Sequence, residues 1–132
     1  MTALVGRSIY AGEGAGAALV STAPISFFGG VDLQTGVIVE KGHPLEGECV
    51  AGRVLVFPRG TGSTVGSFAL LRLARDGRGP AALVMAACDT TVAVGAIIAE
   101  IPCVDRIELG RITAGTRVAV RGAEVHLEPA AP

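Results

Sequence analysis

The sequence predicts a single β-rich α/β domain over residues 1–132, and three observations support this fold class. A chain of 132 residues has the length of one domain and is long enough to bury a core. Half of its residues are apolar and only 17% are charged, which excludes long disordered segments. Its 19 glycines favour turns, strand junctions and close backbone approach over long helices.

Short apolar runs bounded by glycine, proline or small polar residues predict the strands. In chain order these runs are Leu4–Tyr10, Ala17–Ser21, Val37–Glu40, Val54–Phe57, Ala81–Met85, Ile101–Asp105, Arg117–Arg121 and Glu124–Glu128. Residues 11–16 are rich in glycine and are expected to form a flexible turn between the first two strands. Only Gly122 and Ala123 separate the last two strands, so we expect these to pair as a hairpin.

Two helices are predicted, and the first of them joins two strands into a β-α-β unit. Apolar residues recur at helical spacing over Ser67–Arg75, between the fourth and fifth of the predicted strands. The fifth strand is a continuous apolar run, as expected for a buried strand parallel to the fourth, and such crossovers are right-handed. The second helix is expected over Val92–Ala99, with Thr90 or Thr91 as its N-terminal cap.

Charge and hydropathy exclude several classes of partner. The net charge is −1 and no basic cluster is present, which argues against a nucleic-acid surface. The longest apolar stretches, Ala81–Cys88 and Val92–Ala99, are too short to cross a membrane. Arg7 and Ser8 interrupt the apolar core that an N-terminal signal peptide would need. We therefore expect a cytoplasmic protein that contacts neither nucleic acid nor membrane.

The cysteines and histidines do not form a recognisable metal or disulfide pattern. Cys49, Cys88 and Cys103 are odd in number, far apart and lack a C-x-x-C pair. We interpret them as small buried residues and expect no metal site in this chain. His43 lies in a polar connection, where a structural and a functional role both remain open. His126 alternates with apolar neighbours and is expected on the exposed face of the last strand.

The segment Pro58–Ser67, which reads PRGTGSTVGS, is the first candidate for chemistry. An apolar strand runs into it and a helix pattern leaves it, so it forms a strand–glycine-loop–helix junction. Such a junction leaves unpaired N–H groups at the start of the helix, and these favour an anion. Its polar side chains belong to Arg59, Ser63, Thr64 and Ser67.

Three interpretations of this loop remain open from the residues alone. It is a plain turn in which Ser63 or Thr64 caps the helix, an anion site that uses Arg59, or a catalytic site. In the third case Ser63 is a nucleophile or base activated by the helix N-terminus and Arg59. No Lys follows the last glycine as in a P-loop, and no His/Asp arrangement completes a hydrolase triad.

A second unusual loop follows Pro24, where two aromatic residues precede paired glycines, Phe27-Phe28-Gly29-Gly30. One interpretation is a hairpin corner whose aromatic rings fill the core. The other is a loop that faces a substrate or partner, because paired glycines allow a ligand or another backbone to come close.

Two segments of the sequence are the most distinctive for recognising a protein family: Pro24–Asp32, which reads PISFFGGVD, and Gly60–Thr64, which reads GTGST. Further short segments occur around them in order: Glu13-Gly14, Ala18–Ser21, His43–Leu45, Gly52–Pro58 and Ile101-Pro102. Together they resemble the swivel domain of the aconitase X family, over residues 3–128.

The resemblance implies a swivelling β/β/α domain, a barrel-like sheet with flanking helices similar to the aconitase swivel domain and to the small subunit of isopropylmalate isomerase. It implies the small subunit of a heteromeric hydro-lyase, active only with a large aconitase-X-type subunit. That partner would hold an iron–sulfur cluster or iron that accepts the leaving hydroxyl as a Lewis acid, while this chain binds no cofactor itself. The family's hydroxy-acid substrates are cis-3-hydroxy-L-proline and mevalonate 5-phosphate, and the Arg- and Ala-rich, Lys-poor composition favours the first.

The resemblance also implies roles for both loops. Ser63 would be the base that removes a proton from carbon. Substrate contacts would come from Arg59, Gly60, Thr61, Gly62, Thr64, Phe27, Gly29 and Gly30. Related proteins have Ser-Ser-Arg where this chain has Ser63-Thr64-Val65, so Arg59 or the partner would bind the substrate carboxylate. Phe28 stands where the family often has Trp.

A non-catalytic anion-binding or regulatory module with the same fold is the alternative. Such a module would bind an anion at Gly60–Ser63 without a large subunit, whereas the subunit hypothesis predicts binding only in the assembled enzyme. The two hypotheses therefore differ in what the isolated chain binds.

Overall fold

The computed structural model describes residues 2–128, which form one mixed sheet with helices packed on it. Residue 1 and residues 129–132, the ends of the predicted domain, lie outside the described residues. The strands are β1 (Thr2–Val5), β2 (Arg7–Tyr10), β3 (Glu13–Val20), β4 (Val54–Phe57), β5 (Ala82–Met85), β6 (Cys103–Asp105), β7 (Arg117–Arg121) and β8 (Glu124–Leu127). The segment α1 (Phe27–Gly30) is a single turn in which Phe28 and Gly29 have non-helical backbone angles. The helices are α2 (Val65–Arg75) and α3 (Thr90–Ala99), with a 3₁₀ turn at Leu109–Arg111.

The strand order shows that the sheet curls into a barrel-like shape. The order is β1-β8-β7-β3-β4-β5-β6-β2, with β3, β4, β5 and β6 parallel to one another and the remaining pairs antiparallel. In a flat sheet of eight strands the two edge strands would lie about 34 Å apart, since neighbouring strands are separated by about 4.8 Å. Only Gly6 links β1 to β2. One residue cannot span that distance, so the edges of the sheet must approach each other.

Both faces of the central strands are covered. Leu55 and Phe57 of β4 belong to a core shared with α2 and α3, whereas Val54 and Val56 belong to a second core on the opposite face. All four side chains are fully buried. This explains the continuous apolar run in the sequence, because a parallel strand buried on two faces has no polar side.

The predicted β-α-β unit and the closing hairpin are confirmed. β4 pairs directly with β5 in parallel register, Val54 opposite Ala82, and α2 joins them. β7 and β8 pair as antiparallel neighbours, with Arg121 opposite Glu124. α2 begins at Val65, two residues before the predicted start.

The flexible turn predicted for residues 11–16 is wrong, because β3 begins at Glu13. Gly14 and Gly16 serve close packing inside this strand. A Cβ atom on Gly14 would overlap the carbonyl oxygen of Ala81, and one on Gly16 would lie 2.5 Å from the carbonyl oxygen of Gly52. Glycine in a strand often marks such an approach of another backbone.

Three further element predictions need correction. The predicted strand Val37–Glu40 forms only isolated bridges, Val31 with Ile38 and Val37 with Cys49, in an irregular segment. The cap of α3 is Asp89, not Thr90 or Thr91, because the Asp89 side chain accepts a hydrogen bond from the Val92 N–H at 3.2 Å. The single predicted strand Leu4–Tyr10 is also divided at Gly6 into β1 and β2.

A buried carboxylate ties the edge strand β2 to the rest of the sheet. Asp105 is 1% exposed and accepts hydrogen bonds from Arg7 Nε at 3.0 Å, Arg7 Nη2 at 2.8 Å and the Cys88 N–H at 2.8 Å. Burial alone would raise the pKa of Asp105, but the hydrogen bonds from Arg7 and Cys88 outweigh it and hold the pKa below its ordinary value.

Replacement of this carboxylate is expected to make stability less sensitive to acid. The Asp105 contribution is fully present above the unfolded pKa of about 4 and is lost as the pH falls through the lower folded value. Asp105→Asn should therefore lower the free energy of unfolding at pH 7 by about 1–3 kcal/mol, and the difference from wild type should shrink below about pH 4.

Urea unfolding at pH 7 and pH 3 measures both effects. Asp76→Asn is the matched control, because Asp76 is exposed and lies 3.9 Å from its partner Arg72. A gap between wild type and Asp105→Asn of equal size at both pH values would contradict the assigned role.

Candidate functional site

The structure pairs the two loops that the sequence singles out. The Ile25 N–H donates to the Arg59 carbonyl at 3.2 Å, and the Thr61 N–H donates to the Ile25 carbonyl at 3.0 Å. Ile25 and Gly60 form a parallel bridge. The segment that begins at Pro24 therefore runs beside the segment that follows β4, although more than thirty residues separate them in sequence.

Ser26 brings the two loops closest together. Its hydroxyl donates to the Phe28 carbonyl at 2.8 Å. A Cβ atom on Gly62 would lie 3.1 Å from Ser26 Oγ, and Gly62 has a φ of +108°, a conformation that side-chain-bearing residues rarely adopt. Gly62 is thus restricted to glycine by conformation and by contact, and it fixes the backbone immediately before Ser63.

The two phenylalanines have different environments. Phe27, a predicted substrate contact, is 2% exposed, and its ring packs edge-on against Phe57 with the ring centroids 5.9 Å apart. Its side chain therefore belongs to the core, as the first interpretation of this loop expected. Phe28 is 56% exposed. Of the two predicted glycines, Gly29 is exposed and Gly30 is buried beside Glu40.

Gly60 is held by a residue that the sequence reasoning missed. The Gly60 N–H donates to Asp89 Oδ1 at 2.7 Å, while Asp89 Oδ2 accepts the Val92 N–H at 3.2 Å. A Cβ atom on Gly60 would overlap Val92 Cγ2 and lie 2.8 Å from Asp89 Oδ1. Asp89 thus joins the candidate loop to the start of α3. An aspartate directly before an apolar helical run was the available signal.

Ser63 lies on the surface at the start of α2. Arg59, Thr61, Ser63 and Thr64 are all exposed, and α2 begins at Val65. The Ser63 hydroxyl has no hydrogen-bond partner among the described residues. Thr64 occupies the cap position, but its side chain makes no capping hydrogen bond. The plain-turn interpretation, in which Ser63 or Thr64 caps the helix, therefore lacks its hydrogen bond.

The first turn of α2 leaves donors available. The N–H groups of Gly66 and Ser67 donate to the Ser63 and Thr64 carbonyls, each at 3.0 Å. Within residues 2–128, the N–H groups of Thr64 and Val65 have no backbone acceptor. Unpaired N–H groups at a helix start carry partial positive charge and suit an anion or a developing alkoxide.

Both histidines have hydrogen-bond partners within the chain. His43 is buried, and its Nδ1 accepts the Leu45 N–H at 3.0 Å, so Nε2 carries the proton and donates to the Pro24 carbonyl at 3.0 Å. His43 therefore supports the loop that pairs with Arg59. His126 is half-buried on β8, with Nε2 2.9 Å from Glu124 Oε1.

The cysteines are not arranged as a metal site. Cys103 is buried, as expected, whereas Cys49 and Cys88 are only partly buried. The neighbouring Cys88 thiol and burial raise the pKa of the Cys103 thiol, and the Cys103 thiol lowers the pKa of Cys88. Over residues 2–128, no group of three or more His, Cys, Asp or Glu side chains could hold a metal ion. An iron–sulfur cluster therefore does not fit the described residues of this chain.

Comparison with known proteins identifies the family. A model of the aconitase X swivel domain matches residues 3–128. The chain belongs to the aconitase X swivel-domain family.

Within the described residues, no helix is long and apolar enough to span a membrane.

Curated relatives and a solved structure agree with this assignment. The phosphomevalonate dehydratase small subunit of Thermococcus sibiricus is 47% identical, with 95% of this chain and 98% of that protein covered. The protein of the same name from Methanocella arvoryzae is 52% identical over 78% of each chain. The crystal structure of Thermococcus kodakaraensis aconitase X in its holo-form has a TM-score of 0.95 at 39% identity, covering 98% of this chain and 100% of that chain. These matches confirm the predicted swivel fold and the expectation of a hydro-lyase small subunit.

Proposed function

We propose that this chain is the small subunit of a phosphomevalonate dehydratase and that its Ser63 loop forms half of the active site. The observation that supports this most strongly is the similarity to proteins of that name, at 41–52% identity over 78–95% of this chain. We prefer mevalonate 5-phosphate to cis-3-hydroxy-L-proline on this ground. The Arg- and Ala-rich, Lys-poor composition that favoured hydroxyproline reports on the genome more than on the site.

In this proposal Ser63 removes the proton from the carbon next to the substrate carboxylate. A serine hydroxyl is a weak base, so its alkoxide needs a positive field. The start of α2 and the exposed guanidinium of Arg59 are both close to it in the chain and supply such a field. The Ser63 hydroxyl is exposed, so a substrate can reach it.

The neighbouring loop residues would bind the anionic ends of the substrate. Arg59, the hydroxyls of Thr61 and Thr64 and the backbone of Gly62 would contact the carboxylate or the phosphate. Gly60 donates its N–H to Asp89, so it would position the loop and not contact the substrate. Gly29 would allow close approach on the other side, since it is exposed and no atom lies where its Cβ would be. Phe27 contributes by holding this loop in the core and not by contact with the substrate.

The rest of the site would come from a large subunit. Its iron–sulfur cluster or iron would act as the Lewis acid for the leaving hydroxyl. The residues of this chain would orient the substrate and take up the proton.

Co-expression with the large subunit encoded in the same genome tests the proposal. We expect the purified complex to dehydrate mevalonate 5-phosphate and neither subunit to do so alone. Dehydration of cis-3-hydroxy-L-proline in its place would show that the substrate assignment is wrong. A complex inactive on both compounds would argue against a dehydratase.

The uncapped start of α2 also supports a second candidate, the anion-binding module. Titration of the isolated chain with inorganic phosphate, followed through the amide signals of Gly62 and Ser63, distinguishes the two. Saturable binding by the lone chain favours the module, and signals that shift only after the large subunit is added favour the shared site.

A further inference from the structure

Exposed apolar side chains are concentrated on the helical side of this chain. Among residues 2–128, eight large apolar side chains are exposed, and six of them belong to α1, α2 and α3: Phe28, Val65, Phe68, Val94, Ile97 and Ile98. Single exposed apolar residues are ordinary on protein surfaces. A group of six on packed neighbouring elements is not, and such patches mark interaction sites.

Helix α3 is apolar on its outer face as well as its inner face. Its sequence, TTVAVGAIIA, contains no charged residue. Val92, Gly95 and Ala96 face the core, while Val94, Ile97 and Ile98 point outward at the spacing i, i+3, i+4. A helix that is apolar all round is normally buried. The outer face of α3 is therefore expected to be covered in the functional protein.

Helices α2 and α3, which carry five of the six exposed side chains, pack closely against each other. A Cβ atom on Gly95 would lie 2.7 Å from Leu70 Cδ1 and 3.2 Å from Ser67 Cα. The Ser67 hydroxyl donates to the Thr91 carbonyl at 2.7 Å. Phe68, which is 64% exposed, directly follows Ser67 on α2.

The polar and apolar parts of α2 are separated along its length. Val65 and Phe68 lie in its first turns, beside the Ser63 loop, whereas the exposed Arg72 and Arg75 lie in its last turn. Phe28 lies in the loop that pairs with Arg59 and Thr61. Phe28, Val65 and Phe68 therefore lie next to the candidate site, and the exposed face of α2 becomes charged with distance from it.

We propose that Phe28, Val65, Phe68, Val94, Ile97 and Ile98 form the surface on which the large subunit docks. This inference rests on the proposed function, in which the Ser63 loop must be covered by another chain to complete the active site. A partner that covers Ser63 reaches Val65 and Phe28 first, because these residues border the loop on both sides. A second copy of this chain on the same surface would instead bring two Ser63 loops together and exclude the large subunit.

A charge-introducing double variant tests the docking surface. Phe68→Glu with Ile97→Glu changes one exposed residue on each helix. The matched control is Val5→Glu with Val39→Glu, two exposed apolar residues outside the surface. Binding of each variant to the large subunit is measured by titration, and the melting temperature of each isolated variant shows that it is folded. We expect the surface variant to bind at least about 30-fold more weakly and the control to bind as wild type does.

Turnover at saturating large subunit separates this inference from the proposed function. The surface variant retains Ser63, so its turnover number should return to the wild-type value once enough large subunit is present to form the complex fully. Wild-type affinity of the folded surface variant would overturn the docking surface even in an active enzyme. The surface would belong to a second copy if the wild-type chain self-associates, the surface variant does not, and both bind the large subunit equally well.

The dehydratase would be rejected and the docking surface retained if the wild-type complex is inactive but the surface variant still binds the large subunit more weakly. Phe68→Ala with Ile97→Ala, which adds no charge, replaces the glutamate variant if that one does not fold.

Discussion

Ser63→Ala is expected to lower the turnover number of the assembled dehydratase by about 10²–10⁴-fold, the range that a positioned general base contributes. The Ser63 hydroxyl is exposed, so its removal leaves no cavity. Binding of the large subunit and the melting temperature should therefore remain at wild-type values. The loss should appear in kcat, since a base acts in the chemical step.

Ser8→Ala is the matched control for this variant, because Ser8 is also an exposed serine but lies on the edge strand β2. It should have wild-type turnover. If the fully assembled Ser63→Ala enzyme turned over at the wild-type rate, Ser63 would not be the base, and another residue of the loop or of the partner would have that role.

Gly60→Ala is expected to lower turnover by about 10²-fold, because a displacement of about 1 Å in a positioning element can cost that much. The added methyl group would overlap Val92 Cγ2, and Val92 is buried. The loop must therefore move, which carries Ser63 away from its place. We also expect a loss of about 1–3 kcal/mol in the free energy of unfolding from overpacking.

Gly110→Ala is the control for the glycine substitution, because nothing lies within 4 Å of the position its Cβ would take. The variant Asp89→Ser distinguishes an effect on the position of the Ser63 loop from an effect on the stability of the fold. Serine can still cap α3, so the melting temperature should fall little, but it cannot also accept the Gly60 N–H. Reduced kcat in a variant of nearly unchanged melting temperature supports the positioning role. Unchanged kcat in both Gly60→Ala and Asp89→Ser would show that the loop tolerates displacement.

Local sequence patterns were sufficient for the central part of the fold. The run Val54–Phe57, the helix spacing that follows it and the next apolar run depend on neighbours in sequence, and each element formed within two residues of its predicted bounds. Gly14 and Gly16 misled the prediction because their role depends on Ala81 and Gly52, which approach only in the folded chain. A glycine required for close packing cannot be distinguished from a glycine in a turn by its local sequence.

In the candidate site, too, features set by neighbours in sequence were predicted and contacts between distant segments were not. The glycine loop and its serine were visible in the sequence, because a strand–loop–helix junction is a local pattern. The pairing of Ile25 with Arg59 and Thr61, and the bond from Gly60 to Asp89, join segments far apart in the chain. Phe27 and Phe28 are adjacent and chemically identical, so only the fold decides which ring is buried against Phe57.

Proton removal by Ser63 in a site shared with another subunit is measured most directly by following the carbon-bound hydrogen of the substrate. The assembled enzyme receives mevalonate 5-phosphate with deuterium on the carbon between the carboxylate and the hydroxyl-bearing carbon, and NMR follows release of deuterium into water. We expect the wild-type complex to release deuterium in step with product, and the assembled Ser63→Ala complex to release it about 10²–10⁴-fold more slowly. Release at the wild-type rate from the Ser63→Ala complex would contradict the assignment of Ser63 as the base.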